Sequence, residues 1–213
     1  MYWQESSNND TGNVAESVID MVFAIRCSEL PVDHAFSLSI AIMAHLPWIK
    51  EEEGAGIHSI HVAASGNGWM RPIHGDNFLF PSRRTKLSIR VPAGREADTR
   101  VLSGKLLEVD GHELAIGDAR TRSLSTLTTL FSRHMVVDET ETEEEFLDRA
   151  VENFKVMDVH PKKMLCGIEN VINTPDRSLK TRSLMLADLR MEESATLQTQ
   201  GMGGHRHLGC GLF

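Results

Sequence analysis

The sequence predicts an α+β protein made of two tandem ferredoxin-like (βαββαβ) domains, residues 1–121 and 122–213. Two observations carry this. The order strand, helix, strand, strand, helix, strand can be traced twice along the chain, although no sequence repeat accompanies it. Apolar residues recur at helical spacing in the helices, and the strands are bounded by Gly, Pro, Asn and Asp. A length of 213 residues, 41% of them hydrophobic, supports an ordinary buried core.

In the first half, Val14–Ile25 is rich in β-branched residues and reads as a strand. Pro31 opens a helix on which Ala35, Leu38, Ile42 and Leu46 share a face until Pro47 stops it. Ile57–Ala64 is expected as a strand, Ser65–Pro81 as an irregular Gly/Asn/Pro-rich stretch, and Lys86–Val91 as the next strand. A short helix over Arg95–Leu102 leads to a hairpin, Leu106–Val109 and Glu113–Ile116, turning at Asp110-Gly111.

The second half starts with a strand candidate, Leu124–Val137. Thr142-x-x-Glu145 is a capping box that opens a helix with Phe146, Ala150, Phe154 and Met157 on one face. Leu165–Asn173 and Leu179–Leu189 read as strands around Thr174-Pro175-Asp176. A helix from about Glu192 to Gln200 ends at Gly201, a C-terminal cap, and Leu208–Phe213 is expected as the last strand.

The formal net charge is −8, but the charge is unevenly placed. Seven acids, Asp138, Glu139, Glu141, Glu143, Glu144, Glu145 and Asp148, crowd one helix start, where the helix dipole favours them. Across residues 71–100, Arg71, Arg83, Arg84, Lys86, Arg90, Arg95 and Arg100 outnumber three acids. An acidic average therefore coexists with a basic face suited to phosphate. The three cysteines, Cys27, Cys166 and Cys210, lie far apart, which argues against a disulfide framework or zinc ribbon and for a reducing cytoplasm. The polar N-terminus lacks signal-peptide features, and the most apolar run, Leu38–Ile49, is too short to span a membrane.

The densest chemical signal is Gly201–Phe213, G-M-G-G-H-R-H-L-G-C-G-L-F, where glycines bracket His205, Arg206 and His207. Glycine lets another backbone approach closely, and freed N–H groups make an anion-binding concavity. A dinucleotide fingerprint needs the glycines between a first strand and the helix it opens, and a Walker loop needs Gly-Lys-Ser/Thr. Neither is present here, because this loop follows a helix and precedes the expected strand. Two readings remain: a glycine-rich turn that only links helix to strand, and a loop that grips the backbone of RNA, favoured because five glycines around a basic centre exceed what a turn requires.

The spacing Gly201-x-Gly203, Arg206, Gly209-x-Gly211, with Met202 and Cys210 at the x positions, resembles the signature of CRISPR-associated pre-crRNA endoribonucleases. This is the Cas six family of the RAMP superfamily. The run Pro31–Pro72, with G-I-H-S-I-H-V-A-A-S-G-N-G-W-M-R-P, resembles its MYXAN-subtype members of type I systems.

The resemblance implies metal-independent cleavage of precursor CRISPR RNA in its repeat, with no cofactor. A 2′-hydroxyl attacks in line, leaving a 2′,3′-cyclic phosphate and a 5′-hydroxyl. That reaction wants a base, an acid and a cation, and histidine suits the first two with an unperturbed pKa near ~6.5. Of ten histidines, His45 lies at the end of the first helix, where family members often carry a catalytic histidine. His34 and His58 are reserves. His58 and His61, three apart on an expected strand, should point to opposite faces, which makes His61 mainly structural. Gly201, Gly203, Gly204, His205, Arg206, His207, Gly209 and Gly211 are expected to bind RNA, with Arg71, Arg83, Arg84 and Lys86 as supporting cations. Trp48 and Trp69 are candidates for base stacking, with core packing favoured for Trp48. The resemblance further implies that the protein keeps its product as a subunit of a type I Cascade, alongside its backbone subunits. The alternative is a catalytically inactive RAMP-type RNA-binding subunit.

Overall fold

A computed structural model describes residues 17–62 and 77–213. The strands are β1 (Val18–Arg26), β2 (Leu30–Pro31), β3 (Gly56–Ile57), β4 (Phe78–Leu79), β5 (Lys86–Pro92), β6 (Leu106–Val109), β7 (His112–Arg122), β8 (Leu130–Val136), β9 (Lys163–Asn173) and β10 (Ser178–Ala187). The helices are α1 (Ala35–Met43), α2 (Glu96–Arg100), α3 (Glu143–Val156) and α4 (Met191–Gln200). The class is mixed α/β. Among the described residues no helix is long and apolar enough to cross a membrane.

One antiparallel sheet has the order β3-β5-β1-β7-β6. Its first four members are the second, third, first and fourth strands of the expected unit, and β6 is an added edge. Met21 and Phe23 of β1, Leu87 and Ile89 of β5, and Leu38 and Ile42 of α1 share one core. A second sheet runs β9-β10-β8, and β2 and β4 form a small pair of their own; Phe146, Ala150 and Phe154 of α3 pack over the second sheet with Leu184, Leu186 and Leu197. A smaller cluster joins the halves: Ala35 of α1 meets Ile172, Leu179, Leu208 and Cys210.

Four local expectations change, each for a visible reason. Pro31 does not open a helix; it pairs with Phe78 in β2, and α1 begins after His34. The strand expected over Ile57–Ala64 ends at Ile57, because the Ile60 N–H donates to Nε2 of His34 (2.9 Å) and not to β5; its last two residues lie outside the described ones. Leu124–Thr129 is not strand: Gln198 of α4 pairs with both the N–H and the carbonyl of Ser125 (2.8 and 2.7 Å), and Ser194 donates to the Leu127 carbonyl (2.6 Å). Leu208–Phe213 is not a strand either. Arg206–Leu208 forms a 3-10 turn, and the Gly211 N–H reaches the His134 carbonyl of β8 at 2.7 Å.

Candidate functional site

The glycine-rich loop closes on itself. The Met202 N–H bonds to the Gly211 carbonyl (3.0 Å), and His205, with φ 60°, accepts from Leu208 at 2.8 Å. Gly211 (φ 66°) lies against the Met202 backbone, so any side chain there collides with it. A Cβ at Gly209 would lie 3.1 Å from the Ile57 carbonyl oxygen, closer than an ordinary contact, and Gly201 lies under the Arg206 guanidinium. Gly203 and Gly204 face open space and are exposed. The expected RNA-binding glycines thus divide: Gly201, Gly209 and Gly211 are packed into the loop, while Gly203 and Gly204 are open to solvent.

The Arg206 side chain is engaged within the protein. Its Nε donates to Ala55 O (2.9 Å) and its Nη2 to Gly54 O (3.0 Å), in the first half. Nη1 donates to Gln200 O and Nη2 also approaches Thr199 O (3.4 Å), at the end of α4. The guanidinium satisfies open carbonyls at a helix C-terminus and clamps the loop between the halves. Burial, with Arg90 nearby, pushes its pKa down to about 10.

His205 and His207 stay at the surface, their ring centroids 6.0 Å apart. Nε2 of His205 accepts from Arg177 Nη2 at 3.0 Å, which places the neutral ring's proton on Nδ1. Burial lowers both histidine pKa values, and Lys50 lowers both further, with Arg177 acting on His205 and His205 acting on His207. The charges acting on these two rings are Lys50 and Arg177, with Glu51 opposing Lys50 at His207.

His45 is exposed just beyond α1, where its N–H bonds to Ile42 O (2.9 Å). It lies on the link between α1 and the 3-10 turn Pro47–Lys50, and both of those pack beside the Arg206–Leu208 turn. His34 is buried with both ring nitrogens engaged: Nδ1 donates to Pro31 O (2.8 Å) and Nε2 accepts from Ile60. Burial holds its pKa down. His58 Nε2 sits 3.8 Å from buried Asp20 Oδ1, beyond hydrogen-bond distance, and burial lowers its pKa as well.

Because β3 stops at Ile57, His58 and His61 do not diverge as expected. Both border one small cleft of about 70 Å³ with Ser59, Phe131, Arg133, Gly209, Leu212 and Phe213. Ser59 Oγ lies 3.2 Å from His61 Nε2. Arg83, Arg84 and Lys86 are exposed on the turn entering β5, and Lys86 Nζ donates to Arg83 O at 3.2 Å. Arg71 and Trp69 lie outside the described residues. Trp48 is half-buried against the first core, with the Arg95 guanidinium 4.8 Å from its ring. Lys50, Arg177 and Arg133 were not singled out by sequence. Lys50 and Arg177 are far from the loop in sequence, whereas Arg133 shares the outward alternation of β8 with Phe131. Among the described residues no group of three or more His, Cys, Asp or Glu is placed to hold a metal ion.

Residues 19–213 match the model of the family described as Cas6 Crispr. The CRISPR-associated endonuclease Cas6 of Myxococcus xanthus (strain DK1622) is 27% identical over 195 residues, covering 92% of this chain and 80% of that protein. Among solved structures, a CRISPR associated protein Cas6 superposes with TM-score 0.60 at 8% identity, covering 92% of this chain and 98% of that one. A RAMP protein binding different RNA substrates superposes with TM-score 0.61 at 14% identity, covering 91% and 98%. These two likenesses bear on the fold, and the family model spans both sheets, the glycine-rich loop and His45: the chain belongs to the Cas6 family.

Proposed function

We propose that this protein is an endoribonuclease that processes CRISPR repeat RNA. The observation that carries the reading is the closed loop, which presents Gly203, Gly204, His205 and His207 beside Lys50 and Arg177, next to the turn that bears His45. Open backbone N–H groups and cations suit a phosphodiester. The related Myxococcus protein, named an endonuclease, supports the reaction class.

In the proposed reaction His45 takes the proton of the 2′-hydroxyl. The oxygen attacks phosphorus, the P–O5′ bond breaks, and solvent water supplies the proton that O5′ takes, leaving a 2′,3′-cyclic phosphate and a 5′-hydroxyl while His45 returns its proton to solvent. Lys50 neutralises charge on the phosphorane, a role that needs no metal. His34 is assigned a structural part, since both its nitrogens are engaged, and His58 is assigned to the Asp20 network. The two sheets are read as two ferredoxin-like units, 1–121 and 122–213. The product stays bound within a type I complex in the cytoplasm.

The test is labelled repeat RNA incubated with protein in EDTA. One cut bearing a cyclic phosphate is expected, and His45→Ala should slow it ~10²-fold or more with binding retained. Undiminished cutting by that variant refutes the role of His45. Binding without cutting by the wild type favours the second reading, a non-catalytic RNA-binding subunit. Burst kinetics limited to one turnover are expected if product is retained.

A further inference from the structure

The turn between β9 and β10 carries an arginine whose partner is the glycine-rich loop. Thr174 locks the backbone of Arg177: its N–H and its Oγ1 both donate to the Arg177 carbonyl (3.0 and 2.7 Å), and Oγ1 accepts from the Arg177 N–H (3.2 Å). The strand entering this turn is tied to the first half of the chain. Asp33, just ahead of α1, accepts from the N–H and the side-chain amide of Asn173 (3.1 and 2.7 Å). From that anchored turn the Arg177 guanidinium donates to Nε2 of His205 at 3.0 Å, and among the described residues it makes no ion pair with a carboxylate.

His205 is an exception within its loop. The other left-handed positions there, Gly201, Gly203, Gly209 and Gly211, are all glycine, and only His205 keeps a side chain at positive φ. Such an outlier motivates a search for function. Because a guanidinium only donates, Nε2 must accept, and the one proton of the neutral ring sits on Nδ1. Burial, Arg177 and Lys50 lower the pKa, so the ring is neutral near pH 7 and offers a single donor. The charged and titratable groups around it are Arg177 on the hairpin, Lys50 and Glu51 on the link after α1, and His207 in the loop. Lys50 follows His45 on that link, beside the Arg206–Leu208 turn. A neutral N–H fixed where negative charge builds stabilises it without reorganising at the moment of reaction.

We propose that Arg177 is a positioning residue for cleavage: its bond to Nε2 holds His205 with Nδ1–H free to donate to a non-bridging oxygen of the scissile phosphate. No proton leaves the ring, and the bond strengthens as charge builds on that oxygen. The proposal rests on the reading of the chain as an endoribonuclease, but the two fail separately. The measurement is single-turnover cutting of labelled repeat RNA at saturating protein, from about pH 5.5 to about pH 8. Arg177 is exposed and Thr174 grips only its backbone, so variants of its side chain should melt with the wild type. Arg177→Met should slow cutting about tenfold at the alkaline end, because the freed ring can carry its proton on Nε2 and turn a lone pair on the phosphate. Loss of Arg177 also removes one of the charges that lower the pKa, so the ring titrates nearer its ordinary ~6.5. Once protonated it regains Nδ1–H, and the rate relative to wild type should recover to within about threefold at the acid end. Arg177→Lys, which keeps a charged donor, should restore most of the alkaline rate. In a His205→Ala background, Arg177→Met should add no loss beyond about twofold. Nitrogen NMR of the imidazole should show the Nδ1–H tautomer in the wild type and its loss in Arg177→Met. A deficit that is equal at every pH, or that persists in full in the His205→Ala background, overturns the proposal. So does an Nε2–H tautomer in the wild type. A wild type that cuts nothing refutes the enzyme, and with it any part for Arg177 in cleavage.

Discussion

Arg206 shows how a motif residue in a glycine-rich loop can spend its donors inside the protein, on backbone carbonyls. Its donors are taken by carbonyls of Gly54, Ala55, Thr199 and Gln200. Arg206→Ala should cost about 2–4 kcal/mol in urea denaturation, since several carbonyls lose a charged donor at once. Arg206→Lys should recover little of this, because an ammonium cannot span the same fork. Residual RNA binding should follow the folded fraction; a large loss of affinity with unchanged stability would return Arg206 to direct contact. The buried histidines set a second expectation. His34 and His58 have pKa values lowered chiefly by burial, so the unfolded chain binds more protons than the folded one below about pH 6.5. Stability is then full above that pH and declines as pH falls towards 5. His34→Asn should lower the urea midpoint near neutrality and flatten this decline; an unchanged slope would acquit His34.

At the scale of elements, the loop glycines make opposite predictions. Gly211→Ala drives a methyl group into the Met202 backbone and should destabilise the protein by about 2–3 kcal/mol, read by thermal melting. At Gly203, φ is 81° but the space is open, so Gly203→Ala should cost only about 1 kcal/mol and show itself mainly in weaker RNA binding. Local chemistry of this kind is what sequence renders well. The Thr142–Glu145 capping box forms with both its bonds, Asp110 and Gly111 take positive φ at the hairpin, and Gly201 ends α4 with φ 66°. Misreadings occurred where a side chain from elsewhere claims the backbone. Ile60 is held by the His34 side chain and Ser125 by that of Gln198, while the 206–208 turn is anchored by its own Arg206 reaching the distant Ala55 carbonyl. Propensity for strand was present in each stretch, but the partner lay 26 to 151 residues away. The cleft was illegible for the same reason, since residues 58–61, 131–133 and 209–213 meet only through docking of the two halves.

Over the whole molecule, one charge network spans the first sheet and reaches the second half. Asp20 of β1 is buried and bonded by Arg90 Nε of β5 (2.9 Å) and Arg122 Nη2 of β7 (2.9 Å). Arg90 Nη1 also donates to Gln198 O of α4 and to Phe213 O, both at 2.7 Å. Burial alone would raise the Asp20 pKa, but His58 and Arg90 hold it well below the carboxylate range. Glu193 is likewise lowered to about 2, where burial is outweighed by bonds from Arg190 and His160. Both carboxylates lend stability above their unfolded values near ~4, and that stability drains as pH falls through the lowered ones. Acid unfolding monitored by circular dichroism should therefore be steep below about pH 4, and Arg90→Met should move it to higher pH. Retention of the wild-type acid midpoint in that variant would remove the network from the account. The Arg206 clamp has a further consequence. Two of its carbonyls, Gly54 and Ala55, precede β3 or adjoin it, and two, Thr199 and Gln200, end α4, so neither stretch alone can shape the loop. Expressed as two separate pieces cut after β7, 1–123 and 124–213, the protein should bind repeat RNA only on mixing, and RNA should in turn draw the pieces together. The loop would then act as a reporter of assembly as well as a grip on its ligand.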